Sequence, residues 1–325
     1  RVFTNTYKAA STSATIKAKK VLNGKELAAD AYTFELKEKD AVVAEAKNTA
    51  SGEVVFNVNY TEAGEHTYTI TEKSGTEAGV TYSTESYTVK VTVVDNGQGQ
   101  LVATVENAEA DRVFTNTYKA ASTSATIKAK KVLNGKELAA DAYTFELKEK
   151  DAVVAEAKNT ASGEVVFNVN YTEAGEHTYT ITEKSGTEAG VTYSTESYTV
   201  KVTVVDNGQG QLVATVENAE AERVFTNTYK AASTSATIKA TKELVGKELA
   251  KEQFEFELSE GGNVIATSSN GKTVNGVEAA TNEVVFSVLY TEAGDHEYTI
   301  TEKAGTAEGV TYSKESYTVH VKVVD

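Results

Sequence analysis

Apolar and polar residues alternate with a period of two along most of the chain. The segments "SATIKAKKVL", "AYTFELKE", "VVAEAK", "EVVFNVNY", "HTYTITE", "SYTVKVTVV", "QLVATVE" and "RVFTNTY" carry this pattern and are rich in β-branched and aromatic residues. Alternation of that kind predicts strands with one buried face. Clusters such as "NTASGE", "TEAGE", "KSGTEAG" and "DNGQGQ" fall between them and supply turn chemistry. Only "NGKELAAD" hints at a helical turn. Many short strands at regular spacing predict an all-β, two-sheet sandwich.

The pattern recurs. "RVFTNTYKAASTSATIKA" begins at Arg1, Arg112 and Arg223, a spacing of 111 residues each time, and the first two copies differ only at Asp111 and Glu222. That period is domain-sized rather than the shorter period of a solenoid, so each copy is expected to bury its own core. The third copy diverges and gains eight residues near "SSNGKTVNG", between Phe256 (matching Phe34) and Tyr290 (matching Tyr60). Its Gly, Ser, Asn and Thr predict a surface loop, where changes of length are cheap. The linker around "KAAS", Lys119–Ser122, lacks the Gly-rich composition of a flexible tether, so a stiff, elongated rod is expected.

Composition narrows the function classes. The chain has 325 residues, a formal charge of −15, and no Cys, Met, Trp or Pro. Disulfides are excluded. The acidic balance lacks the basic footprint of a nucleic-acid binder, and no apolar run is long enough to span a membrane. No leader opens the chain, which starts in mid-motif, so an internal piece of a longer protein is expected. Four histidines (His66, His177, His296 and His320) have neither Cys nor a second recurring His nearby, short of the three or four ligands of a zinc site. Half-buried strand residues are expected instead, with no metal and no cofactor. "DNGQGQ" from Asp95 lacks the spaced acidic ligands of a calcium loop and reads as a hairpin turn. The "NYT" sequons at Asn59 and Asn170 carry little weight. The 17 Tyr lie mostly in phase with core residues.

Strand phase exposes the candidate chemistry. In "ATIKAKKVL", Ile16, Ala18 and Lys20 share a face, while Lys17 and Lys19 point out. The third copy keeps Lys242 for Lys20 but has Thr241 for Lys19. In "HTYTITE", Glu72 is in step with Tyr68 and Ile70; in "FTNTY", Asn116 lies between Phe114 and Tyr118. The same parity selects Lys131, Glu183 and Asn227 in the second copy, and Lys242 and Glu302 in the third. Buried Lys and Glu are paired almost without exception, so each set is expected to meet. Two readings stand side by side. One is a buried ion pair with a hydrogen-bonded Asn, weak evidence for stability. The other is chemical: burial lowers a Lys pKa and raises a Glu pKa. A neutral amine then attacks the Asn carboxamide, Glu polarises the carbonyl and shuttles protons, and ammonia leaves behind an isopeptide bond, in a single turnover.

The run from "TFELKEKDAVV" to "FTNTY", and above all the pairing of "YTITE" with "FTNTY", resembles the streptococcal pilin isopeptide-linkage domain of the FctA type. The resemblance covers nearly all of each copy. It implies an Ig-like (CnaB-like) β-sandwich, with Lys on an early strand, Glu on a central one and Asn on the last. Carried over residue by residue, it implies that Lys20–Asn116 and Lys131–Asn227 are cross-links promoted by Glu72 and Glu183. Domain limits then shift: 1–9 would be the terminal strand of a preceding domain, 10–118 and 119–229 two complete repeats, and 230–325 a third lacking its last strands. Asn5 and Lys242 are left without in-domain partners, and Glu302 without an Asn. The Asn5 strand of another molecule could complete the third repeat by strand addition. The implied function is a stalk of a wall-anchored adhesin on a Gram-positive cell, with a host or matrix ligand bound by a tip domain elsewhere. The alternatives are a pilus backbone, against which the lack of a Pro-containing sorting motif counts, and a ligand-binding module using Gly271–Ala280.

Overall fold

The computed structural model describes all 325 residues and contains strands and turns without helices. In the first copy the strands are β1 (Thr12–Asn23), β2 (Thr33–Glu38), β3 (Ala41–Lys47), β4 (Glu53–Tyr60), β5 (Gly64–Glu72), β6 (Val80–Thr81), β7 (Ser86–Asp95), β8 (Leu101–Val105) and β9 (Val113–Tyr118). The second copy reproduces them as β10 (Thr123–Asn134), β11 (Thr144–Glu149), β12 (Ala152–Lys158), β13 (Glu164–Tyr171), β14 (Gly175–Glu183), β15 (Val191–Thr192), β16 (Ser197–Asp206), β17 (Leu212–Val216) and β18 (Val224–Tyr229). The third has β19 (Thr234–Thr241), β20 (Glu255–Glu260), β21 (Asn263–Ser269), β22 (Glu283–Tyr290), β23 (Gly294–Glu302) and β24 (Ser316–Val323). The expected tandem Ig-like sandwiches are present.

In the first copy one sheet has the order β4-β1-β9-β6 and the other β3-β2-β5-β7-β8. The first and last strands, β1 and β9, are neighbours and run parallel, with Lys20 opposite Phe114 and Leu22 opposite Asn116. Strict alternation follows from the two-sided strand: Ala14, Ile16 and Lys20 face in from β1, and Phe114, Asn116 and Tyr118 from β9. Ala14, Ile16 and Phe114 meet Phe34, Leu36, Tyr68, Ile70, Val89 and Val91 from the second sheet to form the core. Phe114 packs on Phe34 and edge-on to Tyr87, each at 5.1 Å between ring centroids. At the far end of β1, Gly52 has φ +87°, and a Cβ there would overlap the carbonyl oxygen of Lys20. Glycine thus lets the Thr49–Gly52 turn close on the backbone of Lys20, whose N–H donates to the Gly52 oxygen at 2.6 Å.

One sequence expectation needs correction. "NGKELAAD" forms bends and turns, because the segment ends against Asn48 instead of closing its own helical hydrogen bonds: the Asn48 side chain accepts from Tyr32 N and donates to the carbonyls of Ala28 and Thr49. The insertion of the third copy follows Asn270, which matches Asn48 and repeats its contacts, to Phe254 N, Ala250 O and Thr281 O; beyond it Lys272, Thr273, Asn275, Gly276, Glu278 and Ala280 are exposed, as expected of a surface loop, while Ala279 is buried.

The chain forms two compact units. One comprises Arg1–Lys130, Ala140–Glu183 and Glu196–Arg223; the other comprises Lys131–Ala139, Lys184–Thr195 and Val224–Asp325. In the second unit β19 pairs with β22, and β21-β20-β23-β24 form a sheet, around a core that includes Ile238, Phe254, Leu258, Phe286 and Tyr298.

Candidate functional site

Lys20, Glu72 and Asn116 converge in the core of the first sandwich. Lys20 and Asn116 come from the adjacent parallel strands β1 and β9, one same-face step apart, and Glu72 reaches them from the end of β5 in the opposite sheet. Lys20 is 1% exposed and Asn116 fully buried. One carboxylate holds both partners: Lys20 Nζ donates to Glu72 Oε2 at 2.8 Å, and Asn116 Nδ2 donates to Glu72 Oε1 at 2.7 Å. Both charged side chains are wholly removed from solvent. Burial pushes the Lys20 amine below the usual lysine range, against the opposing pull of the hydrogen bond and charge of Glu72. The Tyr32 ring closes the site over Lys20, with Nζ 4.6 Å from its centroid.

The carbonyl of Asn116 does not face Glu72. Its Oδ1 accepts from the backbone N–H of Ser83 at 2.7 Å. A backbone N–H can only donate, so it fixes which end of the carboxamide is oxygen. Glu72 thus meets the nitrogen end of the carboxamide and the Ser83 N–H the oxygen end. Sequence phase could not have located this group, because a loop amide carries no residue-type signal.

The second copy buries Lys131 on β10 and Asn227 on β18, and Ser194 N donates to Asn227 Oδ1 at 2.7 Å, the counterpart of the Ser83 contact. Glu183 ends β14. In the third copy Lys242 Nζ lies 2.7 Å from Glu302 Oε1 and 4.2 Å from the Phe254 ring centroid. Ser313 N, which matches Ser83 N, there donates to Glu302 Oε2 at 2.8 Å. A cleft of about 260 Å³ beside this pair is lined by Phe256, Ile300, Ser313 and Tyr317. In the first copy Phe34 and Tyr87, the matches of Phe256 and Tyr317, pack on Phe114. Asn5 is exposed and lies outside the strands.

His66, His177 and His296 are half-buried strand residues. Each bonds a glutamate through Nδ1 (Glu38, Glu149 and Glu260) and stacks on a tyrosine two residues on. His320 is exposed.

A family model described as FctA, the Spy0128-like isopeptide containing domain, matches three times, over residues 16–119, 127–230 and 238–325. No curated protein matches the chain. Solved structures with similarity include the Bacillus anthracis TIE protein, 15% identical over 96% of this chain and 48% of that one, with a TM-score of 0.23. The chain thus spans about half the length of that protein. The major pilin protein T-13 of Streptococcus pyogenes is 15% identical over 68% of this chain and 99% of its own, with a TM-score of 0.26. BcpA, the major pilin subunit of Bacillus cereus, is 14% identical over 96% of each, with a TM-score of 0.23.

Proposed function

The chain belongs to the FctA family of Spy0128-like isopeptide containing domains, and on that premise we propose that its repeats are stalk segments of a wall-anchored surface adhesin, each complete repeat stiffened by a self-formed Lys–Asn bond. The observation that carries this reading is the single dry carboxylate of Glu72, which holds the amine of Lys20 and the amide nitrogen of Asn116 at once.

The chemistry follows from those contacts. Lys20 passes a proton to Glu72 Oε2, a transfer favoured because burial depresses the amine and the pair becomes neutral. The neutral Nζ attacks Cγ of Asn116, already positioned by folding. Negative charge develops on Oδ1, where the Ser83 N–H acts as an oxyanion donor. As the C–Nδ2 bond breaks, the attacking nitrogen loses a proton and the departing nitrogen gains one, with Glu72 as the shuttle. The products are one secondary amide and one ammonia, and the proton first taken from Lys20 stays on the Glu72 carboxyl until the ammonia carries it away as ammonium, which restores the carboxylate. Lys131, Glu183 and Asn227 are assigned the same roles in the second repeat. With no Asn beside them, Lys242 and Glu302 form no bond within the third.

Intact mass spectrometry tests the proposal. The chain is expected to weigh two ammonia equivalents less than its sequence, and Glu72→Ala with Glu183→Ala is expected to restore the full mass. Full mass in the unsubstituted chain would refute it. A pilus backbone is served equally well by these bonds. The near-identity of the first two copies favours the spacer role over a ligand-binding module, since recognition needs one specialised surface rather than two alike.

A further inference from the structure

The turn "DNGQGQ" has a use beyond closing the β7–β8 hairpin. In both of its occurrences it is braced internally: Asp95 Oδ1 accepts from Gly97 N at 2.8 Å and Asn96 Oδ1 from Gln98 N at 2.7 Å, with the same pattern at Asp206–Gly208 and Asn207–Gln209. The braced turn receives a tyrosine from outside its own repeat. Tyr118, the last residue of β9, donates its hydroxyl to Asp206 Oδ1 at 2.8 Å and accepts from Gly210 N at 3.1 Å. Tyr7 makes the same two bonds with Asp95 and Gly99, at 3.0 and 3.1 Å. Tyr229 donates to Asp325 Oδ1 at 2.5 Å.

Further contacts reinforce the junction between the first two repeats. Within the second repeat Ala121 donates to Gly210 O and accepts from Leu212 N, which ties the chain just after Tyr118 to the socket turn. Lys25 of the first repeat pairs with Glu77 at 3.0 Å, lies 4.9 Å from the Tyr118 ring centroid and reaches Gly208 O at 3.3 Å. Gly210 approaches the first repeat so closely that a Cβ would fall 2.6 Å from the Ala78 carbonyl carbon, whereas a Cβ on its counterpart Gly99 would meet nothing within 4 Å.

We propose that the Asp206–Gln211 turn, with its counterpart Asp95–Gln100, is a socket for the terminal tyrosine of the preceding repeat, and that this latch holds consecutive repeats in one relative orientation. The hydroxyl is used as donor and acceptor together, which phenylalanine cannot copy. Tyr118 lies two residues beyond Asn116, so tension leaving the first sandwich passes directly into the second. The latch is independent of the cross-link and does not require it.

The chain has no Cys, so spin labels at Ser13→Cys and Ser124→Cys, both exposed strand positions, report the distance between the first two repeats without background. A narrow distribution is expected. Tyr118→Phe should broaden it and speed tryptic cleavage after Lys119 by about tenfold, the effect of losing one charge-assisted hydrogen bond on local opening. Gly210→Ala should displace the distribution. Gly99→Ala, with a similar positive φ (+86° against +80°) but open space around it, should not. An unchanged distribution and cleavage rate in Tyr118→Phe would overturn the tyrosine socket. Equal behaviour of the two alanine variants would overturn the close approach that locks it. Intact mass measured on the same samples reports the cross-link separately, so failure of either proposal is recognised independently.

Discussion

Lys20 shows what one residue can and cannot announce. Its phase with Ile16 marks it as inward-facing, and an inward lysine demands an anion; Glu72 supplies it at 2.8 Å. The residues around this pair were less legible. Tyr32, which caps the amine, looks like any core aromatic in the sequence. Tyr32 also provides a pH probe. Burial, then the nearby Glu77 carboxylate, pushes its phenol up to about 12. Tyr60 and Tyr68 are raised too, chiefly by burial. Below the unfolded value of about 10 the phenols are neutral in both states. Above it the unfolded chain ionises first, so the folded state holds more protons and stability falls as pH rises. A cross-linked Lys20 no longer titrates and adds no opposing slope. Denaturant midpoints are therefore expected to be level up to about pH 10 and to decline as pH passes through about 12, with phenolate absorbance rising alongside. A decline beginning well below pH 9 would contradict this account.

At the scale of the element, the parallel pairing of β1 with β9 matters most. Alternation identified both strands, yet period-2 patterning is blind to partner and direction, because any neighbour of matching face satisfies it. The parallel arrangement puts Lys20 and Asn116 one step apart and makes a bond between them a shear bolt across the repeat's two ends. By analogy with a disulfide enclosing roughly 100 residues, such a link constrains the unfolded chain by about 4–5 kcal/mol. The loop before β2 depends on a residue that composition marks only as polar. Asn48 is 1% exposed and satisfies three backbone groups, among them Tyr32 N. Asn48→Ala would leave those groups dry and unpaired, at a cost of about 1–3 kcal/mol. Chemical denaturation of a Lys20→Ala background, which cannot cross-link, is expected to show that loss as a lower midpoint at unchanged m-value. A change of under a few tenths of a kcal/mol would mean that the backbone groups find other partners.

At the scale of the whole molecule, the segment around Asn5 is exposed and lies outside the strands, and a cleft lies beside Lys242 and Glu302. Phe3 is 95% exposed beside Asn5, and the cleft next to Lys242 and Glu302 is lined by the counterparts of the residues that grip Phe114. Strand addition between molecules would place an Asn5 at a Lys242. Concentrated samples are accordingly expected to form a covalent ladder on denaturing gels, abolished by Asn5→Ala and by Lys242→Ala. A single monomer band at all concentrations would count against it.

The sequence by itself determined the repeat length, the strand segments, the inward phase of Lys20, Glu72 and Asn116, and the resemblance to the isopeptide family, because periodicity and spacing are properties of the chain alone. Only tertiary structure decided that Glu72 faces the amide nitrogen while Ser83 holds the oxygen, that Tyr118 enters the next repeat's turn, and that Asn48 and its match Asn270 brace the loop before the second strand. The physical reason is common to all three. Each depends on a backbone amide or an ordinary polar side chain whose meaning comes from what folding brings within 3 Å of it, and no local pattern encodes that neighbour.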